Sequence, residues 1–148
     1  TGRHPLMSVI AWDGSHIVAD NQVTEGNVPK RTKKLFRIQR NGVIHGVGFV
    51  GMAGEGMDMV RWWREGADAD EMPAYPETSL IVATRDFCIS WDDGLAIPYT
   101  IQERYAAYGS GSYYADSALA LGKTARQAVL HAIKHDIYCG QGTTTIKL

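Results

Sequence analysis

Cysteine is scarce in the 148-residue chain: there are two, Cys88 and Cys139. They form no CxxC pair, which excludes a zinc ribbon and a thioredoxin-like redox site. A single disulfide could join them, but without an export signal two buried reduced thiols are the expectation. Long apolar runs are missing too: nothing approaches the roughly 20 residues that span a bilayer, and no signal-peptide pattern opens the chain. Neither sign of charge is in excess, since 15 Lys and Arg stand against 16 Asp and Glu for a net charge of -1. The chain therefore has no general basic field to hold nucleic acid or an anionic membrane. These absences lead to the expectation of a soluble, cytoplasmic protein that binds neither.

What is present suits one compact domain over residues 1–148, since 45% hydrophobic and 21% charged residues supply a normal core. Val9–Trp12 and His16–Ala19 are strand-length runs around Asp13-Gly14, a strong hairpin signal. A second hairpin, Lys33–Ile38 and Val43–Val50, turns at Asn41-Gly42. The period changes over residues 52–65, where Met52, Gly56, Met59, Val60 and Trp63 share a helical stripe and Gly66 is a plausible stop. Residues 67–78 read as a loop. Strands resume at Leu80–Thr84, Phe87–Trp91, around Ile97–Ile101 and at Tyr105–Tyr108, the last running into Gly109-Ser110-Gly111-Ser112. Helices follow over Tyr113–Leu121 and from Thr124, whose spacing to Gln127 fits a capping box, and Thr143–Ile146 is a final strand. Strand runs segregated from helix runs argue for an α+β fold. A strand apolar on both faces, such as Val43–Val50, must be covered twice, which two stacked antiparallel sheets with helices outside achieve.

Lys34 would share a strand face with Phe36 and Ile38, an uncomfortable place for an ammonium. Either it snorkels at the strand end within the basic run of residues 30–37, or it is buried and its charge is held by a carboxylate. Asp20, ending an apolar strand, is the natural partner; the alternative is a hydrogen bond to the turn at Asn21-Gln22. A hydroxyl near the chain start adds a third element. Hydroxyls are poor nucleophiles without a base, and a free α-amino group on the same residue can be that base. Its unperturbed pKa of about 7.7–8.0 would be lowered by a neighbouring lysine cation.

Four stretches, Ile10-Ala11-Trp12-Asp13-Gly14 with Val18-Ala19-Asp20-Asn21-Gln22, Lys33-Lys34-Leu35, Gly48–Gly54, and Gly109–Ala115, resemble in order the proteasome β-subunit family of N-terminal nucleophile hydrolases. Within it the chain is similar to short proteasome-like proteins of bacteriophages and prophages, and to the bacterial proteasome-like peptidase subunit that works with an unfoldase ring. The likeness covers nearly the whole chain and implies a four-layer αββα sandwich. It also implies that Asp20 orients Lys34 beside the nucleophile, that the Gly51 N–H meets the developing oxyanion, that Ser110 supports the terminal amine and hydroxyl, and that Asp136 is a second supporting aspartate. No cofactor or metal is implied.

The nucleophile departs from the family pattern. The family threonine falls on Ser8, with Met7 before it, so only removal of everything through Met7 frees the Ser8 amine. Thr1 is the other candidate, but residues 1–6 match no family strand; residues 1–7 read as a leader, a propeptide or an expression remnant. Two functions remain open. One is a threonine-peptidase-like hydrolase of peptides or unfolded protein, assembled as a homo-oligomeric ring or spiral and fed by an unfoldase ATPase, acting in the cytoplasm of a bacterial host if phage-encoded. The other is a catalytically silent phage or prophage protein that keeps the sandwich as an assembly module.

Other signals are weaker. His131 and His135 stand at i, i+4 on a helix as metal ligands can, but no third ligand accompanies them and solvated helix residues are expected. Gly122-Lys123-Thr124 mimics the end of a phosphate loop without the earlier glycine and reads as a helix junction. Trp62 falls on the polar side of its helix, suited either to a subunit contact or to packing under the loop of residues 67–78.

Overall fold

The computed structural model describes residues 7–25, 27–73, 75–92 and 99–148. In chain order the strands are β1 (Ile10–Trp12), β2 (His16–Asp20), β3 (Gln22–Glu25), β4 (Val28–Arg31), β5 (Leu35–Arg40) and β6 (Val43–Gly51). Helix α1 (Ala53–Arg64) and a short 3-10 turn (Ala69–Glu71) separate these from β7 (Thr78–Ala83), β8 (Cys88–Trp91), β9 (Tyr99–Ile101) and β10 (Ala106–Tyr108). Helices α2 (Ser112–Ala120) and α3 (Ala125–His135) precede β11 (Thr143–Lys147). One antiparallel sheet runs β10-β1-β2-β11, a second β5-β6-β7-β8-β9, and β3-β4 form a separate hairpin.

Alternation along the strands assigns each side chain to one of three apolar layers. In β1 and β2, Val9, Ala11 and Val18 face α2 and α3, packing with Ala115, Leu119, Ala128 and Val129. Ile10, Trp12, Ile17 and Ala19 face the other way and meet Leu35, Val50 and Ile81 between the sheets. On the far side of the second sheet, Val47, Phe49, Leu80 and Val82 pack against Met59, Val60 and Trp63 of α1. The result is the four-layer αββα sandwich. Glycines set the spacing between the sheets: a Cβ on Gly46 would lie 2.3 Å from Ile17 Cγ2, and one on Gly48 would lie 3.1 Å from Ile10 Cδ1. The two sheets can approach there only because β6 has no side chains at those points.

Local chemistry explains the element ends. Asp13 Oδ1 accepts from the backbone N–H groups of Ser15 and His16 and fixes the β1–β2 turn, with Gly14 at φ 90°. The capping box at α3 is present on both sides, Gln127 N donating to Thr124 Oγ1 at 3.1 Å and Thr124 N to Gln127 Oε1 at 3.0 Å. Gly122-Lys123-Thr124 is accordingly the α2–α3 junction. Both cysteines are buried free thiols.

Two expectations need correction, and one left open is decided. The chain between the first two expected hairpins is itself a hairpin, β3-β4; all of β4 is exposed, so it has no apolar alternation by which to recognise it. Lys34 lies just before β5 and not within it, so the shared face with Phe36 and Ile38 is not the reason for its burial. Of the two alternatives for Trp62, packing under the loop is the one observed: it is 7% exposed, packs edge-on against Trp91 and donates from Nε1 to the Asp68 carbonyl at 2.7 Å. The start of the extended piece at Ile97, and Thr1, lie outside the described residues.

Candidate active site

Ser8 is fully buried at the entry to β1, on the inner end of the first sheet. Its neighbour across the hairpin is the last residue of β2, Asp20, also fully buried. Ser8 Oγ donates to Asp20 Oδ1 at 3.2 Å. Asp20 is held on all sides: Oδ1 accepts from Val9 N at 3.0 Å, and Oδ2 from Gln22 N at 3.3 Å and Gly140 N at 3.0 Å. The two expected fates of this carboxylate, turn capping and cation pairing, thus occur together. Three backbone N–H groups fix its orientation.

Lys34 supplies the cation. Its side chain is 1% exposed, and Nζ donates to Asp20 Oδ1 at 2.7 Å, to the Gln22 carbonyl at 2.7 Å and to Ser8 Oγ. The three donors of the ammonium are therefore all used. Burial lowers the Lys34 pKa below its ordinary value, while the Asp20 carboxylate opposes the shift. A cation shielded from water and touching a hydroxyl oxygen favours any negative charge that develops on that oxygen.

The Gly109–Ser112 loop closes the other side. Gly111 N donates to the Ser8 carbonyl at 3.1 Å, and Ser110 Oγ lies 3.3 Å from Ser8 N and 3.4 Å from Ser8 O. The glycines are steric requirements. Gly109 has φ 97°, and a Cβ there would lie 2.3 Å from the Ser8 carbonyl oxygen; a Cβ on Gly111 would lie 2.9 Å from Cys139 Sγ. Ser110 is thereby placed against the Ser8 nitrogen.

Asp136 sits one step back. It follows α3, where Oδ1 accepts from Tyr138 N at 2.9 Å and Oδ2 from the Cys139 thiol at 3.6 Å. It braces the turn that carries Gly140 to Asp20, and among the described residues it has no bond to Ser8. The Cys139 thiol is pushed up by burial and by the nearby Asp20 and Asp136 carboxylates, with the Lys34 cation opposing the shift. Gly51 ends β6 at φ 117°, where a Cβ would lie 2.3 Å from the Glu77 carbonyl oxygen. Its neighbour Val50 reaches the Gly109 loop, since Val50 Cγ1 is 3.2 Å from the Cβ position of Gly109.

The structure thus gathers Ser8, Asp20, Lys34 and Ser110 into one cluster. Pattern reasoning missed the Gln22 carbonyl, the Gly140 N–H and Cys139. The first two act through backbone atoms, which side-chain identity does not reveal, and Cys139 is far from the others in sequence. His131 and His135 lie elsewhere, on α3, where their rings meet at 4.6 Å and Tyr114 stacks on His135 at 5.2 Å. No group of three or more His, Cys, Asp or Glu that could hold a metal occurs among the described residues.

No family model and no curated protein sequence matches the chain. Solved structures do. Eukaryotic HslV from Trypanosoma brucei is similar with a TM-score of 0.70 at 22% identity, over 94% of this chain and 97% of that one. Thiobacillus denitrificans BPH matches with a TM-score of 0.71 at 16% identity, over 95% of this chain and 96% of that one. The same protein in complex with epoxomicin matches at 0.67 and 14% identity, over 95% and 97%. The architecture of this chain is the proteasome-like αββα sandwich.

Proposed function

We propose that this protein is a proteasome-like N-terminal nucleophile hydrolase that cleaves peptide bonds, with Ser8 as nucleophile. The observation that carries this is the Lys34 ammonium, buried against Asp20 and donating to Ser8 Oγ. While Met7 is attached, the Ser8 nitrogen is an amide and cannot act as a base. Cleavage of the Met7–Ser8 bond converts it into an amine beside Ser110 Oγ.

In the reaction, that amine accepts the Ser8 hydroxyl proton as Oγ attacks the substrate carbonyl carbon. Lys34 stabilises the charge developing on Oγ and lowers the amine's pKa toward neutrality, Asp20 keeps Lys34 in place, and the Gly51 N–H is the proposed oxyanion donor. Collapse of the tetrahedral adduct breaks the C–N bond, and the proton passes from the Ser8 ammonium to the leaving amine. Water then attacks the resulting ester, giving a carboxylic acid and restoring the Ser8 hydroxyl. Peptides or unfolded protein are the proposed substrates. Assembly into a homo-oligomeric ring or spiral, fed by an unfoldase ATPase in the cytoplasm, belongs to the same proposal and is supported by the likeness to HslV in fold.

The test is intact-mass analysis of untagged protein before and after treatment with a β-lactone and with epoxomicin, together with hydrolysis of fluorogenic peptides. The expected result is a chain beginning at Ser8, one adduct per chain mapped to Ser8, and no adduct or hydrolysis with Ser8→Ala. A chain that keeps Met7 and forms no adduct overturns the proposal and leaves the assembly-module function.

A further inference from the structure

Away from Ser8, a charged cleft of about 530 Å³ lies where β11, the last strand of the four-stranded sheet, runs beside β5, the last strand of the five-stranded one. Its apolar lining is Ile44, Ile146 and Leu148, and its cations are Lys33, Arg37 and Lys147. None of the three cations has a carboxylate within salt-bridge distance among the described residues. Among the described residues, the nearby edge of β11 is open. Leu148 N donates toward β2, to the Ser15 carbonyl, and Gly142 O accepts from Asn21 N on the same side. Alternation in an antiparallel ladder then turns the N–H and C=O groups of Thr143, Thr145 and Lys147 outward, where no strand among the described residues pairs with them.

We propose that this cleft binds an acidic peptide segment in extended conformation, added as a fifth strand alongside β11. Three observations converge on that occupant. The outward ladder groups at every second residue match the repeat of a strand. The apolar residues accept alternate side chains facing the sandwich interior, and the cations from two different sheets favour carboxylates on the incoming segment. Lysines on an edge strand can instead serve to prevent pairing. That role does not account for Arg37 of β5 and Lys33 just before it, which border the same apolar cleft from the opposite sheet's side. The site is separate from the Ser8 cluster, and its binding does not depend on whether Ser8 is a nucleophile.

The experiment uses the full chain and a fluorescent peptide of about eight residues alternating Glu with Val, long enough to cover a strand of this kind. Its Lys-for-Glu counterpart and inorganic polyphosphate serve as controls. Anisotropy is expected to show saturable binding of the acidic peptide, at least about tenfold weaker for Arg37→Glu and Lys147→Glu, with slowed amide exchange at Thr143, Thr145 and Lys147. Thr145→Pro removes an outward N–H without breaking the β2 ladder and is expected to abolish binding. Each variant is checked for native amide dispersion, and Lys147→Gln, expected to bind with intermediate affinity, provides a second readout if a charge reversal unfolds the chain. Equal binding of the basic peptide, binding unaffected by Thr145→Pro, or displacement of the peptide by polyphosphate with no change in exchange would overturn the proposal. So would self-association that buries β11 in place of peptide.

Discussion

Lys34 Nζ and Asp20 Oδ1 lie 2.7 Å apart with side chains 1% and 0% exposed, forming an ion pair out of reach of water. Such a pair is costly to break from one side, because the remaining partner stays buried and charged. The two sides are not equivalent here.

Removing the carboxylate with Asp20→Ala leaves the ammonium beside a hydroxyl and a carbonyl alone, and three backbone N–H groups lose their acceptor. A loss of about 3–5 kcal/mol is expected. Lys34→Met leaves Asp20 with those three N–H donors, and a smaller loss of about 2 kcal/mol is expected. Urea denaturation of both variants checks the order; equal losses would show that the backbone donors do not sustain the carboxylate.

The pH dependence has a definite sign. Burial lowers the Lys34 pKa below its ordinary 10.5. Between the lowered value and 10.5 the unfolded chain therefore holds more protons at this position than the folded one, and its contribution to stability rises with pH. Wild type should gain on Lys34→Met as pH is raised toward 10.5. Urea midpoints of both proteins measured across the alkaline range test this, and parallel curves would contradict it.

Gly48 controls the position of Lys34 through the backbone. A Cβ there would meet the Lys34 carbonyl at 2.8 Å and Leu35 Cδ1 at 2.9 Å. Gly48→Ala is expected to cost about 1–3 kcal/mol by overpacking between the sheets. It should also slow β-lactone labelling of Ser8 in protein that remains folded. Thermal melts and adduct mass spectra measure the two effects separately, and unchanged values for both would refute the assignment.

The thiols should be inert in the native state. Burial pushes Cys88 up to about 11 and raises Cys139 as well. At pH 8 an aromatic disulfide reagent is expected to find no reactive thiol in native protein and two after addition of guanidinium. Rapid reaction of Cys139 without denaturant would show that the turn beside Asp20 opens.

Much of the architecture was legible because it rests on local rules. Asp13-Gly14 and Asn41-Gly42 set two hairpins, Thr124 and Gln127 set the start of α3, and the double-sided apolar run of β6 required a layer on each face. The β3-β4 hairpin was not legible, since its second strand is exposed along its length and carries no burial pattern. Trp62 was ambiguous for a related reason: its helical face is polar, and only the fold of residues 67–78 covers it.

At the candidate site, sequence alone selected residue types: a carboxylate ending one strand, a lysine expected within the next strand pair, and a hydroxyl near the chain start, Ser8 or Thr1. Their distances came from tertiary structure, which brings Ser8, Asp20, Lys34 and Ser110 together across up to 102 positions of chain. The reason is physical. Periodicity and turn chemistry act over a few residues, whereas the charge of a buried lysine depends on which carboxylate, carbonyl and hydroxyl the packed sheets bring to its nitrogen.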